Sequence, residues 1–145
     1  MKKDQFSKYI TIISRNMNYC FNKKLEEYSI NKSHLQILHY LHNHEGVIQS
    51  ELGHSLMLDK ITVTKVLKKL VEEGYVEKKE GKEDKRQKKL YITEKGHRFH
   101  DEVFSITLEI NDILSKGFSP GEKQMTMELL IRMSENIYDV VQNLR

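Results

Sequence analysis

The sequence predicts a mainly α-helical protein that carries one small β-hairpin. Apolar residues recur every three or four positions over most of the 145 residues, as they do along one face of a helix. Alternation of apolar and polar residues is confined to two short runs, 75–78 and 89–92, on either side of a polar segment. We therefore expect a single domain over 1–145, with helices supplying most of its core.

The helices can be placed by their caps and apolar spacing. The first covers 6–28, where apolar residues are three or four positions apart. The remaining predicted elements are a helix capped by Ser33, a short helix over 50–56, a helix from the Asp59 cap to Gly74, the hairpin, a helix over 94–116 capped by Thr93, and a last helix that begins at the capping box Ser119-Pro120-Gly121-Glu122. A short helix, a turn and a second helix form a helix-turn-helix, and the hairpin makes it winged.

The composition is typical of a water-soluble protein, with 38% hydrophobic residues, 31% charged residues and a mean hydropathy of −0.62. The longest uncharged apolar stretch, 9–14, is much shorter than the ~20 residues of a membrane span. The first residues do not resemble a signal peptide, and the single Cys20 cannot form an internal disulfide. These features predict a cytoplasmic protein with no membrane partner.

Positive charge is concentrated in the middle of the chain. Residues 60–93 carry a net charge of +5, whereas residues 1–59 carry +1 and residues 94–145 carry −3. Such a block is typical of a nucleic-acid contact, although a lysine-rich helix face in solvent has the same charge.

The helix after Asp59 has two different faces. Val63, Val66, Leu67 and Leu70 cluster on one side and are expected in the core. The opposite side carries lysines and threonines, which suit phosphate oxygens and base edges. Ile61 also lies there, and two interpretations stay open: contact with a thymine methyl group, or packing on the preceding short helix.

The tip of the hairpin is the second basic segment. Its basic side chains are those of Lys82, Lys85, Arg86, Lys88 and Lys89. Arginine is favoured in the minor groove, where negative potential is concentrated, and we expect the Asp84 carboxylate to orient the Arg86 guanidinium. The alternative is a solubilising loop without a partner.

These motifs together resemble the multiple-antibiotic-resistance regulator (MarR) family of winged-helix transcription factors. The matching runs are LDKITVTKVLKKLVEEGYVEKK and DKRQKKLYITEKG. The resemblance implies a homodimer held by helices in 1–30 and 94–145, with a winged helix-turn-helix lobe over 33–93 on double-stranded DNA. It implies a sequence-specific regulator, commonly a repressor, that places its recognition helix (59–73) in the major groove and its wing (81–89) in the minor groove of a pseudo-palindromic operator. The predicted DNA-binding residues are Ser50, Lys60, Ile61, Thr62, Thr64, Lys65, Lys68, Lys69, Lys82, Asp84, Lys85, Arg86 and Lys88.

Many members of that family respond to small aromatic or lipophilic effectors, so the resemblance implies an effector site near the first, second and fifth helices. The candidate residues are Tyr9, Ile13, Met17, Tyr40 and Phe99, which suit plain core packing equally well. The peroxide-sensing branch has its reactive cysteine where this chain has Ser7. Cys20 lies on the apolar stripe and is expected to be a buried structural thiol, with redox sensing as the alternative.

We predict neither a cofactor nor a metal, and no enzymatic activity, because the chain has no GxSxG motif and no Gly-rich phosphate loop. The pairs His39/His42 and His97/His100, each three residues apart, keep a zinc-responsive regulator open as an alternative. The other alternative is a winged-helix interaction module that does not bind DNA.

Overall fold

The structure, a computed structural model, describes residues 5–145, so residues 1–4 of the predicted dimerisation segment 1–30 lie outside the described part. The elements in chain order are α1 (Gln5–Leu25), a 3-10 turn (Glu26–Tyr28), α2 (Lys32–Asn43), β1 (Val47–Ile48), α3 (Gln49–Ser55), α4 (Lys60–Glu72), β2 (Val76–Glu80), β3 (Lys88–Ile92), α5 (Glu94–Leu114) and α6 (Pro120–Leu144). The predicted fold class and order of elements are confirmed. None of these helices has the length and apolar character needed to cross a membrane.

The chain divides into two compact units, residues 1–110 and residues 111–145. The core of the first unit is built from apolar side chains of α1 to α5 and of the sheet. The predicted inward face of α4 is confirmed, because the four residues assigned to it, Val63, Val66, Leu67 and Leu70, are all buried. The buried core consists of Phe21, Leu25, Ile30, Leu35, Ile37, Leu38, Leu41, Leu52, Val63, Val66, Leu67, Leu70, Val76, Leu90, Ile92, Phe99, Val103 and Ile110.

The hairpin belongs to a three-stranded antiparallel sheet of order β1-β3-β2. In this sheet Val76 pairs with Ile92, and Val47 of β1 pairs with Leu90. Strand β1 was not predicted, because two residues are too few to show alternation. It ties the segment before α3 to the wing.

Most helix ends are capped as the sequence predicts. Asp59 caps α4, Gly74 follows it at φ +79°, and the Ser119 capping box opens α6. The Thr93 hydroxyl accepts the backbone N–H of Gly96 at 3.0 Å. The prediction for α2 was wrong: Asn31 is its cap, because its side-chain oxygen accepts the N–H groups of the two residues that follow Lys32.

Two rows of apolar side chains remain exposed. On α1, Phe6 is 78% exposed, and Ile10 and Ile13 are also exposed. Helix α6 has no buried residue, although apolar side chains recur along one stripe of it. Apolar residues scattered singly over a protein surface are common, whereas a continuous exposed row of them marks a place where another molecule can bind. The rows on α1 and α6 are therefore candidate contact surfaces.

Cys20 corrects one expectation. The prediction of a buried thiol was wrong, because the Cys20 side chain is exposed. The core-facing position at this turn of α1 is occupied by Phe21, which is only 5% exposed. Since one residue rotates the helix by 100°, the side chain of Cys20 is directed away from that core.

Candidate nucleic-acid interface

Helices α3 and α4 form a helix-turn-helix with a tight connection. The turn contains Met57 in the left-handed region at φ +54°, and the N–H of Leu58 donates to the carbonyl of Gly53 at 2.9 Å. The four inward residues of α4 anchor the helix to the core. Its opposite face is therefore presented to solvent in a fixed orientation.

That solvent face carries most of the predicted base- and phosphate-contacting residues. Lys60, Thr64, Lys65 and Lys68 are exposed. Ile61 is 69% exposed, so the interpretation that it packs on α3 is wrong. An exposed isoleucine at the second position of the helix can reach a thymine methyl group if α4 enters the major groove.

Thr62 differs from its neighbours because it belongs to the cap of α4. Its backbone N–H donates to one Asp59 carboxylate oxygen at 2.8 Å, and its hydroxyl donates to the other at 2.7 Å. The side chain is half-buried as a result. Thr62 therefore holds the start of the helix, and its hydroxyl is already engaged.

We expect Asp59→Ala to lower the free energy of unfolding by about 1 kcal/mol, the usual value of a lost N-cap. The physical reason is that two donors of Thr62 lose their acceptor together. Urea unfolding followed by circular dichroism measures the loss, and Asp59→Asn, which keeps an acceptor oxygen, is the matched control. Equal losses for both variants would show that the cap bond does not stabilise α4.

Lys69 faces the start of α2. Its ammonium donates to the carbonyl of Ser29. A groove of about 230 Å³ runs between these elements and is lined by Asn31, Ser33, His34, Thr62, Lys65, Val66 and Lys69. Burial first, and then the positive charge of Lys69, lower the pKa of His34. The groove places Lys65 and Lys69 beside polar groups of α2, which suits a phosphate.

The wing is a tight, polar tip between β2 and β3. The N–H of Gly81 donates to the carbonyl of Gln87 at 2.8 Å, and the N–H of Gln87 donates to the carbonyl of Asp84 at 3.1 Å. The Asp84 carboxylate accepts the backbone N–H of Arg86 at 2.9 Å. Asp84 thus shapes the turn that carries Arg86 through a backbone N–H, whereas the sequence predicts that its carboxylate orients the Arg86 guanidinium. The exposed basic side chains are Lys82, Lys85, Arg86 and Lys88.

Gln49 is a residue of this surface that the sequence did not single out. Its side-chain amide donates to the hydroxyl of Thr64 at 2.8 Å, and that hydroxyl donates to the carbonyl of Lys60. Gln49 lies next to Ser50, a predicted DNA-binding residue that is exposed at the start of α3. The sequence does not indicate the contact between Gln49 and Thr64, because this contact depends on how α3 packs on α4.

The five effector candidates fall into different environments. Tyr9 and Ile13 are exposed on α1, while Met17 and Tyr40 are half-buried against the core. Phe99 is buried, with its ring stacked on Tyr75 at 4.3 Å between centroids. A cavity of about 530 Å³ next to α1 and α5 is lined by none of the five; its residues are Lys23, Lys24, Glu26, Glu27, Tyr28, Glu102, Ser105, Ile106 and Glu109.

The sequence of this chain is similar to those of known transcriptional regulators. The MarR family model matches residues 30–88, which span α2 to the start of β3. The chain is 31% identical over 126 residues to the transcriptional repressor MprA of Escherichia coli strain K12, covering 83% of this chain and 72% of that protein. It is 26% identical over 128 residues to YybA, an uncharacterised HTH-type transcriptional regulator of Bacillus subtilis strain 168, with 88% and 85% covered.

Two solved structures match most or all of the chain. A MarR protein from Peptoclostridium difficile superposes with a TM-score of 0.87 at 28% identity, covering 100% of this chain and 95% of that one. A MarR family transcriptional regulator from Listeria monocytogenes, crystallised with a 26mer DNA, superposes with a TM-score of 0.83 at 28% identity, with 96% and 91% covered. With a winged helix-turn-helix fold and a 31% identical relative matched over most of both chains, the protein belongs to the MarR family of transcriptional regulators.

Proposed function

We propose that this chain is a sequence-specific DNA-binding repressor that acts as a homodimer on a pseudo-palindromic operator. The observation that carries the proposal is the exposed basic face of α4 together with the exposed basic tip of the wing. Two further comparisons support it: the Listeria relative was crystallised with DNA, and the E. coli relative bears the name of a repressor. In this proposal α4 enters the major groove and the wing tip enters the minor groove.

The proposed domain organisation is based on the secondary structure of 33–93 and on the exposed apolar side chains of α1 and α6. Residues 33–93 contain the helix-turn-helix and the sheet, so they form the proposed DNA-binding lobe. The exposed apolar rows of α1 and α6 support a role for 1–30 and 94–145 in dimerisation, because burying such rows against a second copy removes apolar surface from water. A homodimer presents two copies of α4, which matches a two-fold operator.

The proposal also includes an effector site, which is built mainly from the α1 residues among the five candidates. Phe99 is stacked on Tyr75 and lies edge-on to Tyr28 at 5.9 Å, so its ring is already packed. Tyr9 and Ile13 are exposed and Met17 borders the core. A small aromatic or lipophilic effector would therefore contact the α1 side of the predicted site and would bias the spacing of the two DNA-binding lobes.

We expect saturable binding of two chains to a duplex taken from upstream of the protein's own gene, with affinity that falls steeply with salt. Lysine and arginine contacts release counterions from DNA, so neutralising about six phosphates costs roughly 10³-fold in affinity between about 50 and about 200 mM salt. Fluorescence anisotropy at both salt concentrations, with unlabelled random duplex as competitor, measures this.

The decisive control is a selection from genomic fragments with the same full-length protein. Enrichment of one sequence class supports operator recognition even if the upstream duplex is not the site. If no fragment is enriched and the anisotropy shows no preference over random DNA, the chain is an interaction module that has lost DNA readout.

A further inference from the structure

Four histidines from two helices meet side by side in the first unit. The Nδ1 atom of His39 on α2 lies 2.8 Å from Nε2 of His100 on α5, and Nδ1 of His42 lies 2.8 Å from Nδ1 of His97. The rings of His42 and His100 are stacked with centroids 3.8 Å apart. We call these four residues the histidine cluster. The sequence showed the spacing within each pair, and the packing of α2 on α5 joins the pairs.

The environment of the cluster keeps its rings able to act as ligands. His100 is only 4% exposed, and the other three rings are half-buried. His42 contacts another histidine through Nδ1 and His100 does so through Nε2, so each ring keeps its other nitrogen for an ion. Neutral imidazoles have a free lone pair, which is the form that binds a metal ion.

An acidic side chain completes a set of three ligand atoms. Each of His42, His100 and Asp101 offers one such atom, and all three atoms lie within 4.8 Å of one another. The Nδ1 atom of His100 is 3.2 Å from Oδ1 of Asp101. Zinc–ligand bonds of about 2.0–2.1 Å place tetrahedral ligand atoms about 3.4 Å apart, so an ion would draw these atoms together by about 1 Å and rotate the stacked rings of His42 and His100 toward itself. Asp101 is 72% exposed in its side chain, which leaves a path for an ion.

The other two histidines are positioned to orient these ligands. His39 contacts Nε2 of His100, which leaves Nδ1 of His100 on the side of Asp101. His97 contacts Nδ1 of His42, which leaves Nε2 of His42 for an ion. A ligating histidine usually has its second ring nitrogen held by a neighbour in this way, because the contact fixes the tautomer and the ring orientation.

We propose that His42, His100 and Asp101 bind one divalent ion of the kind that prefers imidazole, such as Zn²⁺, with His39 and His97 holding the two ligand rings. Three protein ligands and a water are a common zinc arrangement. The site is separate from the exposed face of α4, and it does not depend on DNA binding. The ion would join α2 to α5.

The test is a titration of the metal-free, full-length chain with Zn²⁺ against a chromophoric chelator, without DNA. We expect one ion per chain, and an affinity lowered at least about 100-fold in His42→Ala and in Asp101→Asn, with a smaller loss of about 10-fold or more in His39→Gln. Co²⁺ should give visible absorption bands without a sulfur charge-transfer band, since Cys20 is not a ligand in this proposal.

His44→Ala is the matched control, because His44 is an exposed histidine just after α2 whose Nδ1 contacts the carbonyl of Tyr40 instead. It should bind Zn²⁺ like the unaltered chain. The exposed position of Asp101 keeps Asp101→Asn folded even if a substitution at His42 disturbs packing, and circular dichroism verifies the fold of each variant. Zinc affinity that is equal in Asp101→Asn and the unaltered chain, or that falls as far in His44→Ala, would overturn the proposal.

Discussion

Replacing Lys65 and Arg86 together by alanine is expected to weaken operator binding by about 2–6 kcal/mol for each protomer of the proposed homodimer, because each contact contributes about 1–3 kcal/mol. Lys65 is exposed on α4 and lines the groove beside Ser33, whereas Arg86 is exposed at the wing tip. In the proposed homodimer the two substitutions therefore remove one contact of α4 and one contact of the wing from each protomer. Anisotropy titration of the operator duplex at a single fixed salt concentration measures the change, since affinities at different salt concentrations are not comparable.

A control variant with the same change in net charge tests whether the loss of operator affinity comes from specific contacts or from the lower charge of the protein. Lys123→Ala with Arg145→Ala also removes one lysine and one arginine, and both side chains are exposed in the second unit. We expect this control to keep operator affinity near that of the unaltered protein. If both double variants lose the same affinity, binding reflects overall charge, and the assignment of Lys65 and Arg86 to DNA contacts is wrong.

Gly96→Ala is expected to destabilise the fold by about 2–3 kcal/mol, the upper range for overpacking a core. A Cβ atom at this position would lie 2.6 Å from Cγ1 of Ile92 and much closer to the Tyr75 carbonyl oxygen than van der Waals contact allows. That carbonyl cannot move easily, because it accepts the backbone N–H of Thr93 at 3.0 Å. Chemical denaturation with the full chain measures the loss.

Gly121→Ala provides the control for the backbone effect of the substitution. It lies in the first turn of α6, where an added Cβ would meet only the Ser119 hydroxyl oxygen at 4.0 Å. Alanine there restricts the unfolded chain, so stability should stay the same or rise by about 0.4–1 kcal/mol. A destabilised Gly121→Ala, or an unchanged Gly96→Ala, would contradict the steric explanation.

The exposure of the proposed DNA-binding surface was largely predictable from local sequence, with some exceptions. The inward face of α4 follows from helical spacing, so its outward face follows as well, including Lys65 and Lys68. The sequence predicts that Thr62 contacts DNA, but its hydroxyl donates to Asp59, a bond that helical spacing does not show. Gln49 was missed because its bond to Thr64 joins residues fifteen apart across a turn. The Asp84–Arg86 pairing was recognised, yet its contact runs through the backbone.

By itself the sequence determined the order of helices, the caps at Asp59 and Ser119, the end of α4 at Gly74 and the basic block of 60–93. These are local properties, because a cap bond or an apolar period involves residues within about one helical turn. The tertiary structure decided what depends on distant neighbours. It paired β1 with β3, exposed Cys20 and joined the histidines of α2 to those of α5. Such contacts arise only when separate elements pack, and no local spacing encodes which ring meets which.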